Sequence, residues 1–136
     1  MNVLCTICAR GGSKGLLNKN IKKLNGKPLL NYTIEHAIKS KIFSDILVSS
    51  DDEKIINLSK KFKFINIVKR PKKLASDKSG KLDVIKHAVI TLEQRLKKNY
   101  DVIIDLDVTA PLRNISDIRN ALKLFLNKDA SVLLSA

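Results

Sequence analysis

Short β-branched, apolar runs alternate with longer amphipathic segments along this chain, and this alternation limits the fold more than any other feature of the sequence. The first run, Val3–Cys8, is typical of a strand that is buried on both faces of a parallel sheet. Strands that alternate with helical segments predict an α/β fold with a mainly parallel sheet and helices packed on its faces.

The pattern predicts one domain, in keeping with a length of 136 residues. Strands are predicted at 3–8, 45–50, 64–68, 102–106 and 130–134. Helices are predicted at 28–39, 53–63, 82–98 and 117–127, and long loops at 9–27 and 69–81. The buried stripes of the first and third helices are predicted to contain Leu30, Ile34, Ala37, Ile38, Ile85, Ala88, Val89, Leu92 and Leu96. Because nothing follows the last predicted strand to cover it, we expect the chain to be a shortened form of a larger domain.

The net charge of +13 raises the possibility of nucleic-acid binding. The lysines are scattered, however, and aromatic residues, on which single-stranded bases would stack, make up only 4% of the chain. We therefore interpret most of the charge as solvated surface. The sequence shows no signal peptide and no apolar run long enough to cross a bilayer, so we expect a cytoplasmic protein.

The two cysteines and two histidines are interpreted as structural residues. Cys5 and Cys8 are three apart in a predicted strand, so their side chains should lie on opposite faces and share neither a disulfide nor a metal. His36 and His87 fall on predicted helices, away from strand ends. Asp51 and Asp52 are expected to cap the second helix.

The loop after the first strand has the chemistry of a polyphosphate site. It reads A-R-G-G-S-K-G-L-L-N-K-N, where glycines let backbone N–H groups approach an anion and cationic side chains flank them. It matches neither the Walker A loop nor the dinucleotide fingerprint. The alternative is a basic surface loop with glycines in tight turns. The residues concerned are Arg10, Gly11, Gly12, Lys14, Gly15 and Lys19.

Two further charged segments follow predicted strands, and ligands of open α/β sheets bind beyond the carboxyl ends of strands. Arg70, beside a proline, can donate to a base carbonyl or a phosphate, or belong to a solvated charge run. Asp105 and Asp107 share one face if both lie in the fourth strand, and either could bind Mg²⁺. Alternatively, Asp105 orders the strand exit by hydrogen bonding. Thr109 lies in the turn that follows.

Together these segments resemble the CMP-sialic acid synthetase (acylneuraminate cytidylyltransferase) family. The matching motifs are A-R-G-G-S-K-G with N-K-N-I, G-K-P-L-L-N-Y-T-I-E, V-S-S-D-D, R-P-K-K-L-A-S-D and T-A-P-L-R. They occur in the family's order and cover nearly all of the chain. Several independent motifs agree, which makes the resemblance specific.

The resemblance implies a Rossmann-like, three-layer nucleotidyltransferase fold that usually works as a homodimer. It implies a reaction that joins CTP to the anomeric hydroxyl of an acidic nine-carbon (nonulosonic) sugar and releases pyrophosphate, with Mg²⁺ as cofactor. It also implies that Arg10 and Lys14 bind the triphosphate and stabilise the departing pyrophosphate. The expected nucleotide contacts are Ala9, Arg10, Gly11, Gly12, Ser13, Lys14, Lys19, Asn20 and Arg70.

The sequence departs from the family pattern in two places. Where many members read Q-P-T-S-P-L-R, this chain has a carboxylate, Asp107, followed by V-T-A-P-L-R. This form looks more like the CMP-legionaminic acid synthetase branch, and it makes Asp107 and Thr109 candidates for contact with the sugar or a metal. The family's main acidic metal ligands are expected beyond Ala136.

Overall fold

The structure, a computed structural model, describes residues 1–10, 23–74, 80–108, 115–127 and 133–135. The described strands are β1 (Val3–Cys8), β2 (Lys23–Leu24), β3 (Lys27–Pro28), β4 (Asp45–Ser50), β5 (Ile65–Lys69), β6 (Val102–Asp105) and β7 (Leu133–Ser135). The described helices are α1 (Leu29–Ser40), α2 (Glu53–Ser59), α3 (Lys81–Leu96) and α4 (Ile115–Asn127), with a 3-10 turn at Lys72–Leu74.

Five of the strands form one sheet in the order β5-β4-β1-β6-β7, and each neighbouring pair is parallel. From β1 the chain moves outward through β4 to β5, then crosses back to place β6 on the other side of β1. The boundary between β1 and β6 is therefore a topological switch point, the place where open α/β sheets receive their ligands. This confirms the predicted parallel α/β sheet.

Two apolar clusters cover the two faces of this sheet. One contains α1, α2 and α4 side chains such as Ile34, Ile55 and Ile118, and the other is built on α3. The result is the predicted three-layer arrangement. Cys5 belongs to the first cluster and Cys8 packs against the second, so the expectation that they face opposite sides is confirmed.

The loop predicted at 9–27 contains a short hairpin that the sequence interpretation missed. Strands β2 and β3 pair antiparallel around Asn25 and Gly26, whose φ angles are +53° and +81°. Two successive positive φ angles are the signature of a type I′ turn, and Asn-Gly is its preferred sequence. Pro28 ends this hairpin and precedes α1, so the helix begins one residue later than predicted.

Several predicted element ends were wrong by one or two residues: α3 spans Lys81–Leu96 instead of 82–98, β6 ends at Asp105 instead of 106, and α4 begins at Ile115 instead of 117. Other errors have local causes. Helix α2 ends at Ser59, and Phe64 adopts a left-handed φ of +65° with 92% exposure instead of starting β5. Ile38 and Leu96, predicted to be buried, are 42% and 38% exposed at the last turns of α1 and α3. The cap prediction is confirmed for Asp52, whose carboxylate accepts from the Lys54 N–H at 2.7 Å.

No helix within the described ranges is long and apolar enough to span a bilayer.

Candidate functional site

The carboxyl ends of four of the five parallel strands meet at one end of the sheet, which we call the carboxyl edge. Strands β1, β4, β5 and β6 all run the same way, so the residues that leave them are brought together. Backbone hydrogen bonds continue the ladder past the strand ends and fix these exits. They run from Ala9 N to Ser49 O at 2.9 Å, from Arg70 N to Ser50 O at 3.0 Å, and from Leu106 N to Thr6 O at 2.9 Å.

The exit of β1 places a cation at the centre of the carboxyl edge. Ala9 is 1% exposed and tied to β4, which leaves the following residue, Arg10, half-buried at the edge. Arg10 is close enough to lower the pKa of Arg70 by charge repulsion. The glycine-rich segment that continues from Arg10 lies outside the described residues.

Arg70 is a buried cation at the exit of β5, only 5% exposed. Its guanidinium donates long hydrogen bonds to the carbonyls of Ser49 (3.4 Å) and Leu74 (3.3 Å), so it links β4 to the turn after β5. Burial lowers the pKa of Arg70, while the nearby Asp51 carboxylate acts in the opposite direction. Within the described part of the chain, nothing accepts from its buried Nε–H.

The exit of β6 contains a buried carboxylate that is held from two sides. Asp105 is 1% exposed and lies directly opposite Thr6 in the β1–β6 register, and the Thr6 hydroxyl donates to its Oδ1 at 2.8 Å. The Lys81 ammonium lies 2.9 Å from its Oδ2. The interpretation that Asp105 orders the strand exit by hydrogen bonding is therefore confirmed.

Lys81 was not singled out from the sequence, yet it joins the first turn of α3 to the switch point. Desolvation lowers its pKa, but the hydrogen bond and charge of Asp105, with the charge of Asp107, outweigh this and leave the pKa above its ordinary value. Lys81 is therefore a cation at any physiological pH. No sequence signal marks it, because Lys81 and Asp105 meet only once β6 lies beside β1.

Asp107 lies beyond β6, which ends at Asp105, so the two carboxylates do not share a strand face. Asp107 is half-buried and close enough to Lys81 to raise its pKa. Within the described ranges, no group of three or more His, Cys, Asp or Glu side chains is arranged to hold a metal. Asp105 is held by Thr6 and Lys81, and Asp107 is a second carboxylate beyond the end of β6.

Comparison with known proteins places this geometry in a family. The family model described as "Cytidylyltransferase" matches residues 4–134. The chain belongs to the cytidylyltransferase family.

Two of the curated relatives have names that specify an acidic sugar. The chain is 42% identical over 109 residues to CMP-N,N'-diacetyllegionaminic acid synthase of Campylobacter jejuni, covering 80% of this chain and 46% of the relative. It is 38% identical over 136 residues to pseudaminic acid cytidylyltransferase of the same species, covering 100% of this chain and 58% of the relative. The post-translational flagellin modification protein B of Campylobacter coli is 42% identical, covering 98% and 57%. The chain thus spans about half the length of the curated relatives it matches.

Among solved structures, CMP:2-keto-3-deoxy-manno-octonic acid synthetase complexed with CTP superposes with a TM-score of 0.77. The match covers 96% of this chain and 49% of that one at 20% identity. It confirms the Rossmann-like nucleotidyltransferase fold.

The carboxyl edge of this cytidylyltransferase gathers those predicted site residues that the structure describes: Ala9, Arg10, Arg70 and Asp107. The remaining predicted contacts lie outside the described residues, namely Gly11, Gly12, Ser13, Lys14, Lys19, Asn20 and Thr109. The described part of this edge carries two guanidinium groups (Arg10 and Arg70), the ammonium of Lys81 and the carboxylates of Asp51, Asp105 and Asp107.

Proposed function

We propose that this chain is the nucleotide-binding part of an enzyme that couples CTP to a sialic-acid-like nonulosonic acid, giving a CMP-sugar and pyrophosphate. The observation that supports it most strongly is the placement of Arg10 and Arg70 at the carboxyl edge of a cytidylyltransferase fold. The names of the two Campylobacter jejuni relatives supply the sugar class.

The proposed reaction forms a bond between the anomeric oxygen of the sugar and the α-phosphorus of CTP. The bond from that phosphorus to the bridging oxygen breaks, pyrophosphate leaves, and the hydroxyl proton passes to solvent or a nearby base. Enzymes catalyse such transfers mainly by positioning the reactants and by stabilising charge on the phosphate oxygens. Arg10 and Lys14 are proposed for the second role, because a guanidinium and an ammonium that flank glycines in the sequence suit a triphosphate.

In this proposal the nucleotide extends from the switch point toward β5, so that Arg70 helps to hold the cytidine. Burial and the carbonyls of Ser49 and Leu74 fix the Arg70 guanidinium, which lowers the entropy cost of using it. Mg²⁺, when bound, would neutralise triphosphate charge. Asp107, half-buried just beyond β6 at the carboxyl edge, is the carboxylate that we propose contacts it or the sugar.

A titration with CTP, UTP, ATP and GTP, each with Mg²⁺, tests the nucleotide part of the proposal. We expect CTP to bind selectively and Arg10→Ala to weaken that binding by at least about tenfold, because a charge-assisted phosphate contact is lost. Lys63→Ala is the matched control, since it also removes one positive charge but lies exposed just before β5, at the opposite edge. Equal CTP affinity in both variants would show that the triphosphate does not bind at Arg10.

The sugar part of the proposal needs a measurement of pyrophosphate release. With CTP and Mg²⁺, the chain is offered N,N'-diacetyllegionaminic acid, pseudaminic acid and N-acetylneuraminic acid in parallel. We expect the highest rate with the legionaminic acid, because the D-V-T-A-P-L-R segment looks like that branch. A preference for N-acetylneuraminic acid would contradict this assignment while leaving the cytidylyl chemistry in place.

A further inference from the structure

Lys81 has hydrogen-bonding capacity beyond the ion pair that it forms within the fold. It pairs with a carboxylate that is 1% exposed, yet 52% of its own side chain remains exposed. An ammonium carries three N–H donors and no acceptor. The contact with Asp105 Oδ2 at 2.9 Å therefore does not use all of its donor capacity.

The location of this exposed ammonium is the switch point itself. Asp105, its partner, lies opposite Thr6 across the β1–β6 pair, where open α/β sheets receive their ligands. The charge of Asp107 also acts on Lys81, so Asp107 lies near this ammonium. An anionic substrate that enters the switch point would meet the Asp107 carboxylate, and Lys81 is a cation placed beside it.

The Asp105 carboxylate gives the ammonium a fixed position. A lysine on the surface loses much side-chain entropy when it grips a ligand, but one already held by a buried ion pair has lost part of it in advance. Thr6 holds the other carboxylate oxygen at 2.8 Å, which orients Asp105 in turn. The three residues form a chain of contacts that ends in a partly exposed cation.

We propose that Lys81 binds an anionic oxygen of the substrates at the β1–β6 switch point and that Asp105 positions it for this task. The inference rests on the proposed function and adds a binding residue to it. The anionic oxygen can belong to a phosphate of CTP or to the carboxylate of the sugar acid. The experiment below distinguishes these two sources.

The test measures binding of CTP, inorganic pyrophosphate and N-acetylneuraminic acid by calorimetry, at fixed low ionic strength, to the unaltered chain and to Lys81→Met. We expect a loss of at least about tenfold in affinity for the ligand whose oxygen Lys81 meets. Loss for CTP and pyrophosphate identifies a phosphate contact, and loss for the sugar acid alone identifies a carboxylate contact. Lys86→Met, an exposed lysine on the same helix, is the charge-matched control and should bind like the unaltered chain.

A second variant separates binding from folding. Lys81→Met alone leaves a buried carboxylate without its cation, which destabilises the fold. The double variant Lys81→Met/Asp105→Asn removes both charges and keeps an acceptor for the Thr6 hydroxyl. We expect it to regain thermal stability but not affinity.

Restored affinity in the double variant would overturn the inference, because Lys81 would then act only through the fold. Unchanged affinity for all three ligands in Lys81→Met would overturn it as well. If the unaltered chain binds none of the ligands, the proposed function itself is refuted.

Discussion

At the scale of single residues, the most consequential contact is the one between Thr6 and Asp105. A carboxylate at 1% exposure is costly unless each oxygen has a partner, and the strand register supplies Thr6 as one of them. The side chains of both residues are buried, so water cannot readily replace the hydroxyl if it is lost. The exit of β6, and with it the approach to Asp107, depends on this hydrogen bond.

Thr6→Val tests this dependence. The substitution keeps the shape of the side chain but removes the donor at 2.8 Å, so we expect the free energy of unfolding to fall by about 1–3 kcal/mol. Urea denaturation followed by circular dichroism measures it. Thr33→Val is the control, because Thr33 is equally buried but its hydroxyl makes only a long 3.4 Å contact with the Leu29 carbonyl. Equal losses of unfolding free energy in the two variants would show that the contact with Asp105 stabilises the fold no more than the Thr33 contact does.

Cys8 gives a prediction for alkaline pH. Desolvation of its thiol, and then the charge of Asp105, raise its pKa from an ordinary 9.0 to about 12. Below pH 9 the thiol is protonated in both states and its contribution is fully present. As the pH rises from about 9 to about 12, only the unfolded chain releases the proton, so the free energy of unfolding falls.

The measurement compares urea unfolding at about pH 8 and about pH 10.5, in the presence of a reductant, for the unaltered chain and for Cys8→Ala. The variant should lose less stability between the two values. Part of the loss should persist, because burial and the Asp45 carboxylate also raise the pKa of Tyr100. An identical loss in Cys8→Ala would contradict the raised pKa of Cys8.

At the scale of elements, the hairpin before α1 shows how a turn sequence can set local structure. Gly26 has a φ of +81°, and a Cβ added there would meet no atom within 4 Å. Backbone strain rather than a clash therefore determines the cost of a substitution.

Gly26→Ala is expected to reduce the free energy of unfolding by about 1 kcal/mol, because alanine resists the left-handed region. Gly80→Ala is the comparison, because the φ of −71° at Gly80 suits alanine and a Cβ added there would lie an ordinary 3.5 Å from Asp83 Oδ2. Only the lower preference of alanine for the N-cap of α3 counts against this variant, so its loss should be smaller than that of Gly26→Ala. Differential scanning calorimetry of both variants decides the point. A larger loss at Gly80 than at Gly26 would refute the argument from φ.

Element by element, the sequence predicted most of what depends on local periodicity. The strands at β1 and β4 were predicted to the residue, because each contains a short apolar, β-branched run with polar or loop-forming sequence close by on either side. Phe64 was misplaced because its left-handed turn follows from the reversal between α2 and β5, not from its own preference for strands. The exposure of Ile38 and Leu96 depends on how far the neighbouring elements extend over the ends of α1 and α3, which helical periodicity does not encode.

The candidate site was predictable in part. Glycine, arginine and aspartate at strand exits marked the carboxyl edge, since the ends of parallel strands converge. Lys81 carried no such mark, because it acquires its role from a partner 24 positions along the chain. The Arg70 contacts with Ser49 and Leu74 likewise required three segments in their folded places.

At the scale of the whole molecule, the strand order β5-β4-β1-β6-β7 does the most for function. The chain first adds strands on one side of β1 and then on the other, so the switch point lies at the centre of the parallel sheet. Arg10, Lys81 and Asp107 are brought together there. A net charge of +13 spread over the surface then favours the approach of polyanions in general, while the edge provides the local geometry for one of them.

The central claim is that CTP binds at the carboxyl edge beside the switch point. The most direct measurement is a two-dimensional ¹⁵N–¹H NMR titration of the labelled chain with CTP and Mg²⁺. We predict that the largest amide shifts fall at Ala9, Arg10, Arg70, Leu106 and Asp107, with little change at the opposite edge around Ser44 and Asp101. Saturable binding whose shifts cluster at Ser44 and Asp101, and spare Arg10 and Asp107, would contradict the account.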